Sequence, residues 1–223
     1  MNRFVTLLVR KGLPAMGAAA LFVVPPMLVA GPALAAEQAA ASQPADLVAA
    51  VTALRAITTM RADFVQTNRN GQRVSGVLTM KRPGRIRFQY EKGVPLLIVG
   101  DGRALTFVDT QVRQMQRWPI GNSPLGALLD PRRDVFRFGR LQPSFDRNVV
   151  SVEVRDPRHP EYGVITLVFT RKSSAPGGME LAAWVALDSQ NQRTTIRLAN
   201  QQYGMDLADS QFRVLDTSIR PHK

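Results

Sequence analysis

From Arg85 to Glu91 the chain alternates strictly: Ile86, Phe88 and Tyr90 are apolar, and Arg85, Arg87, Gln89 and Glu91 are polar. A period of two belongs to a strand with one face on a core and the other in water. Lys81-Arg82-Pro83-Gly84 precedes it, and Pro-Gly marks a turn because proline presets one dihedral and glycine accepts a positive φ at the next. Asp101-Gly102 separates the apolar runs 96–99 and 104–108, a strong hairpin cue. The stretch predicts four successive antiparallel strands, at 76–82, 85–91, 95–100 and 103–109.

Upstream, helical spacing of Leu47, Val51, Leu54 and Ile57 or Thr58 predicts a helix over 46–60, with Pro44 tolerated near its first turn. A strand at 61–67, carrying Phe64 and Val65, turns at Asn70-Gly71 into 73–82. Downstream, 112–118 reads as a strand with Met115 and Trp118 as its large apolar residues. Ser123 is a candidate N-cap with Pro124 behind it, and Leu125, Leu128 and Leu129 fall at i, i+3 and i+4, which predicts a short amphipathic helix ending by Asp130-Pro131. A helical or irregular piece follows at 135–138, then strands at 148–155, 164–171, 181–187 and 194–199, with 212–215 closing the sheet. The fold class is α+β, mainly β: a strongly curved antiparallel sheet of about ten to eleven strands with helices on one face.

Residues 1–35 stand apart. Arg3, Arg10 and Lys11 make a basic start, an apolar run follows, and Ala33-Leu34-Ala35 is a small-x-small cleavage site. This is the pattern of a secretory signal peptide cut after Ala35, and Pro14, Pro25, Pro26 and Pro32 disfavour an uncleaved spanning helix. An exported chain without cysteine has neither disulfides nor a thiolate metal site. Of 29 basic and 17 acidic residues three basic ones lie in the leader, so the mature chain carries +9. Such a balance suits anionic partners. Export and the lack of any nucleic-acid-binding pattern argue against nucleic acid, which leaves weak attraction to an anionic membrane surface, or plain solubility.

No reaction centre emerges. His159 lies in a proline-rich loop and His222 beside the C-terminus, neither in a nucleophile or metal pattern. Asp101 and Asp109 flank a hairpin and could pose as paired carboxylates, although Asp101 is better explained by its turn. Asp206 and Asp209 are too few oxygens for calcium. The chain reads as no enzyme, with no metal and no cofactor. What stands out is a set of large apolar side chains aimed at one sheet face: Phe64, Leu78, Met80, Ile86, Phe88, Tyr90, Ile98, Leu105, Phe107, Met115, Trp118 and Trp184. They either form an ordinary core under the two helical segments or, if those segments underfill a curved sheet, line a lipid-sized pocket. Read by itself, Arg82 is a strand-end arginine beside a turn.

The run Gly76-Val77-Leu78-Thr79-Met80-Lys81-Arg82-Pro83-Gly84-Arg85-Ile86-Arg87-Phe88, followed by Leu97-Ile98-Val99-Gly100-Asp101-Gly102, resembles the periplasmic outer-membrane lipoprotein carrier family, LolA. Phe64-Val65-Gln66 and Asp188-x-x-x-Gln192-x-Thr194 extend the resemblance over most of the chain after residue 45. It implies an unclosed barrel with a helical lid over an apolar concave face, in one carrier domain spanning 36–223. It implies a monomer in the periplasm that takes acylated lipoproteins from the inner-membrane lipoprotein-releasing ABC transporter. It would shield their acyl chains and deliver them to an outer-membrane receptor or the outer membrane itself. Leu125, Leu128 and Leu129 would be the lid helix, and Arg82 would latch the lid through hydrogen bonds from its guanidinium. Where well-known members carry phenylalanine three residues past the proline, this chain has Ile86. The same fold would also suit a carrier or sensor of free lipid or glycolipid; a secreted hydrolase with an unrecognised site is a remoter alternative.

Overall fold

The computed structural model describes residues 44–130, 133–214 and 220–221, so the expected leader, His222 and Pro131 lie outside the described residues. The strands are β1 (Thr59–Thr67), β2 (Arg73–Lys81), β3 (Arg85–Tyr90), β4 (Leu96–Asp101), β5 (Ala104–Asp109) and β6 (Gln114–Pro119). They continue with β7 (Gly139–Gln142), β8 (Val149–Arg155), β9 (Val164–Arg171), β10 (Met179–Leu187), β11 (Arg193–Tyr203) and β12 (Arg220–Pro221). The α-helices among the described residues are α1 (Ala45–Ala56), α2 (Gly126–Leu129) and α3 (Val135–Phe138).

One sheet contains all the described strands, in the order β12-β6-β5-β4-β3-β2-β1-β11-β10-β9-β8-β7. The pairs are antiparallel except for the short β12 beside β6. The order has two ends, so the sheet is not closed. It curls nonetheless. β6 and β10 are seven steps apart in that order, about 34 Å if flat at the usual strand spacing, yet Trp118 of β6 and Trp184 of β10 line one cavity.

Alternation sorts side chains as the sequence pattern requires. Phe64, Leu78, Met80, Ile86, Phe88 and Tyr90 are buried on the concave face, where Phe64 meets Phe88 and Tyr90 edge-on at 5.3 and 5.2 Å. Such contacts add to the burial of the rings. Helix α1 buries Leu47, Ala50, Val51, Ala53 and Leu54 against β7, β8 and β10, so it fills one end of the concavity. The turn before β10 rides directly on it: a Cβ on Gly177 would lie 2.7 Å from the Ala53 Cα, at a positive φ of 66°. The helix stops at Ala56, four residues short of the expected end, because Ile57 is already extended and the β-branched run Ile57-Thr58-Thr59 favours a strand.

Strand β7 occupies a stretch that carried no expectation, and two other expectations are corrected. Strand β11 runs past the expected 199 to Tyr203 through a bulge, where Asn200 and Gln201 together oppose the single residue Ala62; Asn200 takes φ +54° there and its amide nitrogen donates to Asp63 at 2.6 Å. In place of the expected strand at 212–215, whose Leu215 lies outside the described residues, the chain forms a 3-10 turn over Asp209–Phe212. It crosses the convex face, burying Leu207 and Phe212 on Val99, and Asp209 is fixed by Lys81 at 2.9 Å and Arg85 at 3.2 Å.

Candidate functional site

The half of the concave face that α1 does not cover is roofed by the segment from Pro119 to Asp130. It enters through a 3-10 turn at Ile120–Asn122 and ends in α2, whose Ala127, Leu128 and Leu129 are buried in the main core. Ser123 does not cap this helix as expected: its hydroxyl donates to the Ile120 carbonyl at 2.8 Å, closing the preceding turn. The roof is braced from outside. Arg133 donates to the Gly121 carbonyl at 2.6 Å and lies 4.9 Å over the Tyr162 ring, which in turn stacks on His159 at 4.6 Å.

Beneath the roof is a cavity of about 200 Å³, walled by Phe88, Ile98, Leu105, Trp118, Leu125, Pro124, Trp184, Ala186 and Ile196. Its other lining residues, Gln66, Ser123, Asp188, Gln192 and Thr194, are polar. Gln66, Asp188, Gln192 and Thr194 cluster at the end of the sheet where the β1–β2 and β10–β11 hairpins turn. An apolar pit with a polar rim at one end suits a ligand with an apolar tail and a polar head. A volume below the roughly 300 Å³ of ordinary ligand pockets means that a large tail enters only if the roof shifts.

The expected site residues divide three ways. Phe88, Ile98, Leu105, Trp118, Trp184 and Leu125 line the cavity. Phe64, Leu78, Met80, Ile86 and Tyr90 share that face within the packed core, as Leu128 and Leu129 do from the roof. Phe107 pairs with Ile98 and so has the right parity, but it is only half-buried and does not reach the cavity. Met115 is the clear correction. It pairs with Val108, whereas Trp118 pairs with Leu105; three residues apart on a strand they point to opposite faces, and Met115 lies on the convex side.

The rim residues Gln66, Asp188, Gln192 and Thr194 belong to the motif stretches that carried the family resemblance, so the sequence held a signal for them that apolar periodicity could not register. Each is positioned. The Tyr90 hydroxyl donates to Gln66 at 2.7 Å, and the Gln66 amide donates on to Asn68 at 2.7 Å. Asp188 accepts from the Gln190 and Gln192 amides at 2.8 Å each, and Arg69 donates to the Gln192 side chain at 3.2 Å.

Arg82 lies at the opposite end. Its amide donates to the Thr58 carbonyl at 2.8 Å, but its Nε and Nη2 are buried with no hydrogen-bond partner among the described residues. Burial, and then the nearby charge of Arg55, lower its pKa to about 10. The paired-carboxylate question is settled by geometry. Asp101 accepts from the Arg103 and Ala104 amides at 2.8 and 2.9 Å and from Arg117 at 2.6 Å, and Asp109 accepts from the Gln111 amide at 2.9 Å; both serve their turns.

Residues 55–215 match the family described as "Outer membrane lipoprotein carrier protein LolA". The chain is 28% identical over 164 residues to the outer-membrane lipoprotein carrier protein of Dechloromonas aromatica (strain RCB), covering 70% of this chain and 76% of that one. It is 37% identical over 105 residues to the protein of the same name from Nitrosospira multiformis, covering 43% and 50%. Among solved structures it is similar to a LolA superfamily protein from Nitrosomonas europaea, with a TM-score of 0.44 at 11% identity, over 78% of this chain and 98% of that one.

Proposed function

The chain belongs to the outer-membrane lipoprotein carrier protein family, and from that premise we propose that it carries lipoproteins through the periplasm, shielding their acyl chains between the inner-membrane release transporter and the outer membrane or a receptor there. The observation that carries this reading is the roofed apolar cavity with a polar rim at one end. Each methylene taken out of water is worth about 0.8 kcal/mol, so a bound acyl chain stabilises an opened roof that an empty cavity does not. The protein acts as a carrier rather than an enzyme: Asp188, the one carboxylate lining the cavity among the described residues, is engaged by turn amides.

Arg82 is proposed as the latch. Buried donors without partners cost about 1–3 kcal/mol, and a guanidinium offers several in a fixed fork. A roof conformation that supplies carbonyls to Arg82 is therefore stabilised, and loading and release shift the balance between conformations. Residues 1–35 are proposed as a cleaved export signal; intact-mass measurement on periplasmic protein should give Ala36 as the first residue, and retention of Met1 would overturn that.

The test of the carrier reading is mass spectrometry of the protein purified from its periplasm. An acylated peptide or lipoprotein supports it. Free lipid alone would favour a carrier of lipid or glycolipid on the same fold, and a consistently empty cavity in cells blocked in delivery would overturn both.

A further inference from the structure

The polar rim of the cavity is continuous with a cluster of arginines. β1 and β11 are neighbours, and alternate residues on them point to opposite faces. Gln66, Thr194 and Ile196 line the cavity, while Val65, Thr67, Arg193, Thr195 and Arg197 between them form the floor of a depression on the convex side. That depression, about 630 Å³, is completed by Arg69 and Arg73 from the β1–β2 hairpin. A saddle of about 530 Å³ between the two hairpin tips joins it to the cavity: it shares Gln192 and Thr194 with the cavity, and Arg69 and Arg193 with the depression. Among the described residues none of the four arginines makes an ion pair; only Arg69 is held, by its hydrogen bond to the rim residue Gln192. Val65, in their midst, is 41% exposed.

We propose that this arginine cluster is a docking surface for anionic phospholipid headgroups, which sets the protein end-on against a bilayer with the cavity mouth at the headgroup layer. The inference deepens the carrier reading and rests on it for the direction the mouth must face. Guanidinium matches phosphate oxygens in a fork, and basic groups near an anionic leaflet each contribute an attraction that fades within a Debye length. A membrane fits better than an acidic protein because the arginines spread over two hairpin tips and one strand face instead of framing a slot for one loop. The excess positive charge of the mature chain works in the same direction, and the exposed Val65 places an apolar group where an interfacial contact would receive one.

The experiment is co-sedimentation of the cargo-free mature protein with vesicles of phosphatidylcholine, alone or mixed with phosphatidylglycerol, at low and physiological salt. Binding should rise with the anionic lipid and fall with salt. Arg193→Glu/Arg197→Glu should weaken it at least tenfold, consistent with about fivefold for each arginine lost. Should that variant lose its fold by circular dichroism, Arg73→Gln/Arg193→Gln decides, with a smaller loss expected. Equal binding to both vesicle types, or a folded variant that binds like the parent, overturns the proposal. A variant that keeps vesicle binding but is no longer captured by the purified release transporter in detergent also overturns it, in favour of an acidic protein surface. Loading of an acylated peptide, measured without vesicles, should match the parent in these variants, so failure of membrane docking and failure of the carrier reading are read separately.

Discussion

The backbone amide of Gly84 donates to the carbonyl of Leu129 at 3.1 Å, so the turn between β2 and β3 holds the last residue of the roof helix. Gly84 can do this only as glycine. Its φ is +72°, and an added Cβ would lie 2.7 Å from the Cα of Gly102, in the neighbouring β4–β5 turn. Two glycine turns thus lean on each other and present one amide to the roof.

Gly84→Ala should therefore destabilise the protein by about 1–3 kcal/mol, through the positive φ and the clash together. Denaturant unfolding with an unchanged m-value would measure it. A midpoint equal to the parent's would mean that the turn relaxes freely and that its contact with Leu129 is incidental.

Arg82→Leu removes donors that the described structure leaves unsatisfied, so stability should change little or rise. Its effect should fall on cargo. Loaded carrier should accumulate in the periplasm while lipoproteins go missing from the outer membrane, and Arg82→Lys should be intermediate because it keeps the charge without the fork. The fraction of carrier co-purifying with lipoprotein reports this, and delivery at the parental level would return Arg82 to a purely structural role.

The roof leucines should behave differently from one another. Leu128 is fully buried in the main core, so Leu128→Asp should cost about 3–5 kcal/mol and compromise the fold. Leu125 is only half-buried and lines the cavity. Leu125→Asp should leave most of the stability intact and abolish acyl loading. Thermal melts beside a fluorescent fatty-acid binding assay separate the two, and equal losses of stability would show that the roof is ordinary core along its whole length.

Tyr203 carries a buried hydroxyl without a hydrogen-bond partner among the described residues, and burial pushes its pKa up to about 12. A folded-state pKa raised above the unfolded value near 10 gives stability that is complete below pH 10 and lost as pH climbs towards 12. Tyr203→Phe should flatten part of that alkaline loss without harm at neutral pH. Urea midpoints measured between pH 8 and 11 for both proteins check it; parallel curves would assign the loss to other groups, such as Tyr90, also raised by burial.

Much of the fold was legible because strand parity and turn chemistry are local. Ile86, Phe88 and Tyr90 could be assigned to one face from sequence alone, and Asp101-Gly102 made its hairpin. Where tertiary contacts decide, local reading failed. Nothing near Phe212 announces that Asp209 will be held by Lys81 and Arg85, more than a hundred residues earlier, and a segment so held cannot join the sheet. Met115 was misplaced by treating size as sufficient where parity governs. Of the cavity's apolar wall, Phe88, Ile98, Leu105, Trp118 and Trp184 were among the large side chains assigned to one sheet face, whereas Pro124, Ala186 and Ile196 were not; the polar rim escaped because glutamine, aspartate and threonine near turns look like any loop until the curl of the sheet brings Gln66 and Asp188 to one opening.

The unequal filling of the concave face has a consequence for how the molecule breathes. Along β7, β8 and β10 the concave side is sealed by α1, whereas over β3 to β6 it is sealed by a short roof standing above unfilled space. Backbone amides under α1 should exchange with deuterium only through cooperative unfolding, and those of β4 to β6 through cheaper partial openings. The two ends of one continuous sheet would then keep different clocks, the slow one preserving the fold while the fast one admits a guest.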